Sequence, residues 1–310
     1  MSSLLKRTYF NVIKKPYYQD LEEARSIGIL GQIRDTDMVY LFQNEYSIFF
    51  KDMHIPVIGT GHTFDIQSFV YFKDPVHRIY GESYYKKYFS TINCFNYFPR
   101  DKVIIQRLKD KWNLKYIFPM SLGVDTELFY PETHDNSRVK FLFVASLEYE
   151  KGLDILIPLM KKFINNDKIE FHIAGTGPLD DILRGMEYIR FHGKLDNHEL
   201  AKLYRECDVF IYPSHNDTYS MVTLEALSSG LYVLEGDYLK GVFDDFSKYL
   251  EYIPMNVESF YNRINDIIIN RKIIEHNKDE EYEYVKNNYD WGVIARKLNA
   301  NIREIQEKFN

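Results

Sequence analysis

The sequence predicts an α/β protein whose main body is a parallel sheet covered on both faces by helices. Three observations carry this. Short apolar runs recur between residues 139 and 236, and most are followed by a segment with helical spacing. Gly, Pro or charged turns punctuate the runs. The chain has 310 residues, 45% hydrophobic and 27% charged, which is enough to bury a core and is near the size at which one core divides into two.

The elements follow in order. Phe141–Ala145 reads as a buried strand closed by the Lys151-Gly152 turn. Leu153, Leu156, Ile157, Met160, Phe163 and Ile164 then keep the helical period. Ile169–Ala174 is the next strand, broken by Gly175-Thr-Gly-Pro178, and a short helix over Leu179–Met186 leads to a strand over Tyr188–His192. Asp196 and Glu199 form a capping box ahead of a helix holding Leu200, Leu203 and Tyr204. Val209–Tyr212, a helix over about Ser220–Ser228 ending at Gly230, and a strand over Tyr232–Leu234 complete the alternation. Such a sheet binds its ligand at the carboxyl ends of its strands. Earlier in the chain, Met38–Phe42 and Val57-Ile58 read as strands of a smaller α/β unit. Pro119–Pro131 with the polar run to Arg138 reads as a linker, giving domains over 1–130 and 131–288, with a helix over 289–310 packing back towards the first.

Composition removes several function classes. Lys plus Arg is 39 against 45 Asp plus Glu, so a net charge of −6 gives no whole-molecule attraction to nucleic acid. Cys94 and Cys207 stand alone and form neither a disulfide framework nor a metal or redox motif, which fits a reducing compartment. No window reaches the roughly 18 apolar residues of a spanning helix, so the expectation is a soluble cytoplasmic protein. Asp35-Thr-Asp37 has D-x-D spacing but precedes a strand and reads as a solvated turn; no metal site and no cofactor are expected.

Tyr212-Pro-Ser-His-Asn-Asp217-Thr-Tyr-Ser-Met-Val-Thr-Leu-Glu225 is the stretch with the strongest chemical content, lying between a strand end and a helix start. Asp217 precedes the helix and Glu225 lies more than one turn inside it, so the two carboxylates reach one site at different depths. Between them, the amides of Tyr219, Ser220 and Met221 suit a phosphate at the helix N-terminus. An N-cap explains Asp217 without any ligand but does not explain Glu225. His215 reads as a solvated loop histidine.

This stretch resembles the signature of the retaining family 4 glycosyltransferases (glycosyl transferases group 1), which have the GT-B fold of two Rossmann-like domains facing a central cleft. Three further segments agree in order: Val144–Asp154 with its Lys151-Gly152, Gly175-Thr-Gly-Pro178, and Leu122–Phe129 between the domains. The resemblance implies a sugar moved from a UDP- or GDP-linked donor to an acceptor glycan, lipid or small molecule, without metal. It implies Lys151 on the donor diphosphate, Asp217 on hydroxyls of the sugar, Glu225 on the ribose and the backbone at Lys194 and Leu195 beside the base. His62, after a strand and a Gly-Thr-Gly turn, matches a histidine beside the reacting sugar. The chain departs from the family at Asp217, where Glu is usual, and at Ser146, where an Arg is usual; a neutral hydroxyl is a weaker partner for phosphate than a cation. These departures, with a reduced N-terminal domain, keep open a non-catalytic nucleotide-sugar-binding or partner subunit of the same fold.

Residues 84–116 carry eight Lys or Arg (Lys86, Lys87, Arg100, Lys102, Arg107, Lys109, Lys111, Lys115) against Asp101 and Asp110, interleaved with nine aromatic residues from Tyr84 to Tyr116. Two readings stand: an ordinary helix with solvated lysines, or a peripheral contact with an anionic inner leaflet.

Overall fold

The structure, a computed structural model, describes residues 38–41, 56–60, 92–99, 102–109, 113–133 and 137–309. It falls into two compact units: residues 1–97, 104–118 and 301–310 form the first, and 98–103 with 119–300 form the second. The linker read at 119–131 thus groups wholly with the second unit.

The second unit is a six-stranded sheet in the order β10-β9-β8-β5-β6-β7. Its strands are β5 (Val139–Val144), β6 (Ile169–Ala174), β7 (Arg190–Gly193), β8 (Val209–Tyr212), β9 (Tyr232–Gly236) and β10 (Leu250–Ile253), and every neighbouring pair runs parallel. Counted within the unit this is the doubly wound order 3-2-1-4-5-6, whose direction of winding reverses between β5 and β8. The apolar runs are the reason for the strands. Phe141, Leu142 and Phe143 of β5 and Val209, Phe210 and Ile211 of β8 have no exposed surface, as strands covered on both faces require.

Helices α2 (Leu153–Lys161), α3 (Asp180–Arg184), α4 (Asn197–Glu206) and α5 (Met221–Ser228) connect the strands. The capping box ahead of α4 is formed: Glu199 N–H donates to Asp196 Oδ1 at 2.9 Å and Asp196 N–H donates to Glu199 Oε2 at 3.0 Å. Three helices follow β10: α6 (Val257–Ile269), α7 (Lys278–Tyr289) and α8 (Trp291–Phe309). Strand bounds shift in several places: β5 runs over Val139–Val144 where 141–145 is expected, and two further strands move as well. β7 begins at Arg190, since Tyr188 and Ile189 complete the turn before it, and β9 runs on through Glu235 to Gly236 because Thr223 takes up the buried carboxyl.

A second sheet holds β1 (Val39–Tyr40), β2 (Val57–Thr60), β3 (Cys94–Tyr97) and β4 (Tyr116–Pro119) in that order, with β1 and β3 each parallel to β2, and α1 (Lys102–Leu108) follows β3 in the chain; these elements group with the first unit except for Lys102, Val103 and Pro119, which group with the second. Phe95 and Tyr97 are buried here, and Phe98, grouped with the second unit, is buried as well. Three of the nine aromatic residues of the 84–116 segment therefore belong to packed interior, as the ordinary, non-membrane reading of that segment expects. Phe42, Asp35 and Asp37 lie outside the described residues.

Candidate donor site at the switch point

Two loops meet where the winding reverses, one leaving β5 and the other leaving β8. Gly152 ends the turn after β5 with φ of +88°, and a Cβ there would stand 1.9 Å from the Pro213 carbonyl oxygen just beyond β8. Only a glycine allows this approach, and it carries Lys151 to the end of the neighbouring strand. The loop after β6 closes from the other side: Gly175 has φ of +135° and a Cβ there would meet the Ala145 carbonyl oxygen at 1.8 Å.

Lys151 ends a short 3₁₀ turn, Tyr149–Lys151, and its Nζ donates to the Asn216 carbonyl at 3.0 Å and to Asp217 Oδ2 at 3.3 Å. Tyr212 Oη donates to the same Oδ2 at 2.8 Å, and Tyr219 N–H donates to Oδ1 at 3.3 Å. Lysine and carboxylate are each about a quarter exposed or less, 26% and 19%, so the pair is shielded yet open to a ligand. Around it, Asn216 Nδ2 donates to Glu150 Oε2 at 3.2 Å, and His215 Nε2 lies 2.9 Å from Asp154 Oδ1. His215 thus bonds to the first turn of α2 and takes no part in the Lys151 cluster.

α5 starts at Met221 with Ser220 as its N-cap, the Ser220 Oγ accepting from Thr223 N–H at 3.2 Å. The amides of Met221 and Val222 belong to the first turn, which has no acceptor within the helix. Tyr219's amide is committed to Asp217, and its ring is buried between Phe98 and Phe243, with centroids 5.0 and 5.1 Å away. Glu225, half-buried one turn inside, accepts from Tyr204 Oη of α4 at 3.1 Å. Burial pushes its carboxyl up to about 7, against the pull of that hydrogen bond.

The geometry adds two residues that sequence reading does not single out. Tyr212 reads as a core strand residue yet bonds Asp217. Glu235, fully buried on β9, lies 2.6 Å from the Thr223 hydroxyl, and burial pushes it up to about 8. Its signal is a lone glutamate ending an apolar run. Of the remaining candidates, Ser146 is exposed after β5, while Lys194, exposed, and Leu195, half-buried, follow β7, two strands out from β5. His62 lies outside the described residues. Among the described residues no group of three or more His, Cys, Asp or Glu side chains is placed to hold a metal ion, and no helix is long and apolar enough to cross a membrane.

The family model for glycosyl transferases group 1 matches residues 125–290, just over half of the chain and the whole of the Lys151, Asp217 and Glu225 region. The chain belongs to this family. An uncharacterised glycosyltransferase of Methanocaldococcus jannaschii is 23% identical over 300 residues, covering 92% of this chain and 68% of that protein. The sulfoquinovosyl transferase of Arabidopsis thaliana is 30% identical over 200 residues, covering 57% of this chain and 38% of that protein. This glycosyltransferase therefore spans about two-thirds of the archaeal relative and well under half of the plant one. Among solved structures, a sucrose-phosphate synthase of Thermosynechococcus elongatus matches with a TM-score of 0.74 at 15% identity, over 94% of this chain and 79% of that one. HepE of Anabaena, solved with UDP and glucose, matches with a TM-score of 0.66 at 14% identity, over 89% of this chain and 80% of that one. The glycosyltransferase has the GT-B fold of these neighbours.

Proposed function

We propose that this group 1 glycosyltransferase moves a sugar from a UDP- or GDP-linked donor to an acceptor hydroxyl with retention at the anomeric carbon and without a metal ion. The observation that carries the reading is the Lys151–Asp217 pair at the switch point, 3.3 Å apart and beside the N-terminus of α5. The bond that breaks joins the anomeric carbon to a phosphate oxygen, and charge grows on the departing diphosphate. A preorganised cation and first-turn amides act on that charge where it develops. Asp217 and the Asn216 carbonyl hold the Lys151 ammonium in place. With Ser146 neutral, Lys151 and the first turn of α5 take a larger share of the diphosphate.

The acceptor oxygen bonds to the anomeric carbon on the face the diphosphate leaves, and its proton passes to the leaving phosphate. Asp217 and His62 orient the sugar, Glu225 holds the ribose, and the backbone at Lys194 and Leu195 lies beside the base. Proton NMR of the product tests the stereochemistry. Retained configuration, with turnover surviving EDTA, is the expected result; inversion or full loss with EDTA contradicts it.

Ser146 and the neutralisation of Lys151 by Asp217 also favour a second reading, a subunit that binds nucleotide sugar without turning it over. For the acceptor, Lys102 and Val103, both exposed at the start of α1, support an anionic, lipid-linked substrate met at a cytoplasmic membrane face through residues 84–116. Pelleting with phosphatidylglycerol vesicles at low salt, lost at high salt, is expected on that reading; no pelleting at low salt leaves a soluble acceptor.

A further inference from the structure

Glu235 stands at the carboxyl end of β9 with no exposed surface, where a strand covered on both faces favours an apolar residue. Its contacts impose a hydrogen count. Glu235 Oε1 is 2.6 Å from the Thr223 hydroxyl oxygen, which is 2.7 Å from Ser220 Oγ, and that Oγ accepts the Thr223 amide hydrogen. Thr223 has one hydroxyl hydrogen and faces two oxygen atoms, so one of them must donate. Glu235 Oε2 is buried with no hydrogen-bond partner among the described residues. An ionised carboxylate, with room for about four hydrogens, would meet one donor at full burial, a costly state. Ser220 can supply the missing hydrogen to Thr223, but that arrangement leaves the buried carboxylate with the Thr223 hydroxyl alone; a neutral carboxyl avoids this state, with Glu235 donating to Thr223, Thr223 donating to Ser220, and Ser220 capping α5.

We propose that Glu235 is a positioning residue of the donor site that acts in its neutral form, so that binding of a nucleoside diphosphate at the N-terminus of α5 is tied to the proton on this carboxyl. The inference rests on the donor-site reading above. The titratable groups facing Glu235 come from each element packed on β9: Tyr212 of β8, Tyr252 of β10, and Asp217 and Tyr219 of the loop before α5. Burial pushes all three phenols up, so they stay neutral in the range that matters. For Glu235, burial raises the carboxyl to about 8, the Thr223 hydrogen bond pulls it back, and the Asp217 carboxylate adds to the rise. Lys151, the cation of the site, is engaged with Asp217.

A bound diphosphate brings further negative charge and raises the carboxyl again. Below about pH 8 Glu235 is neutral with or without nucleotide, and affinity is full. Above it the free protein loses a proton that the complex keeps. Binding then takes up a proton and weakens as pH rises, until the complex ionises as well.

Calorimetry with UDP and with GDP on the full chain tests this, comparing wild type with Glu235→Gln, whose amide keeps the shape and the donor. Wild-type affinity is expected to fall about tenfold between about pH 7 and about pH 9.5, one unit of separation between the free and bound carboxyl, while Glu235→Gln changes by less than about twofold. Parallel profiles overturn the inference and leave the donor reading standing. No binding of either nucleotide by either protein overturns the donor reading and this inference with it. Urea unfolding without nucleotide gives a second readout. A carboxyl at 4.5 in the unfolded chain and about 8 in the folded one makes wild-type stability fall relative to Glu235→Gln as pH rises between those values; equal slopes contradict a neutral Glu235.

Discussion

The two ends of the six-stranded sheet both carry charge, and they treat it in opposite ways. At the amino ends, Glu170 of β6 has two cations beside it, Arg190 Nε at 3.1 Å and Arg138 at 3.6 Å, and the His172 ring, whose Nε2 lies 3.0 Å away but off the line of a ring N–H. Burial works to raise the Glu170 carboxyl, but Arg190 first, then His172 and Lys140, hold it below the usual range. At the carboxyl ends, half-buried Glu225 and fully buried Glu235 have one hydroxyl partner each, Tyr204 and Thr223, and are pushed up to about 7 and about 8, while Lys151 meets a single carboxylate. At the amino end the carboxylate is matched by two guanidinium groups. The carboxyl end holds carboxyls with spare hydrogen-bonding capacity, the condition in which ionisable groups serve a ligand.

The largest expected effect is at Lys151. Lys151→Ala should lower kcat by about 10²–10³, the usual loss when one preorganised donor to developing charge is removed, with an unchanged melting temperature. Steady-state release of nucleotide reads it, and an unchanged kcat breaks the contrast between the two ends.

Next comes a split between two carboxylates. Glu225→Gln should weaken free UDP or GDP by about tenfold, the effect of one good hydrogen bond to a charged group. Asp217→Asn removes the counter-charge of Lys151 and should leave free nucleotide bound as tightly or more so, while turnover of the sugar nucleotide is lost. Calorimetry with nucleotide and kinetics with donor separate them; equal losses for nucleotide alone refute the division of roles.

The smallest effect sharpens the other side of the comparison. His172 is buried on β6 with its Nδ1 3.0 Å from His192 Nε2. Burial outweighs the pull of Glu170 and lowers its pKa from 6.5 to about 4. The unfolded chain then takes up a proton near 6.5 that the folded chain refuses until about 4, so stability is full above that window and falls as pH drops through it, by on the order of 2 kcal/mol. Urea unfolding at about pH 7 and about pH 5 should show a smaller pH effect in His172→Gln, with kcat unchanged at neutral pH.

Much of the second unit was legible because its strands are apolar throughout and its turns carry diagnostic residues, such as Gly152 against Pro213 and the Asp196–Glu199 box. Lys151, Asp217 and Glu225 were legible as residue types at a spacing. The Lys151–Asp217 bond was not, since 66 positions separate the partners and only the order of β5 beside β8 joins them. α7 was missed because its sequence, KDEEYEYVKNNY, has no apolar stripe, and Val285 is its one buried hydrophobic residue. β3, with Cys94, Phe95, Asn96 and Tyr97, shows no clear period because both of its faces are buried and Asn96 pairs with the Tyr40 hydroxyl inside. The sequence ends β9 at Leu234 because a glutamate after an apolar run reads as a strand end, and its partner Thr223 comes from a helix.

The most direct test of the switch-point site as an enzyme is nucleotide release by the wild-type protein from a panel of UDP- and GDP-sugars with EDTA present. The account predicts saturable release of UDP or GDP from at least one donor. Saturable donor binding with no release, even when acceptor extracts are supplied, contradicts it.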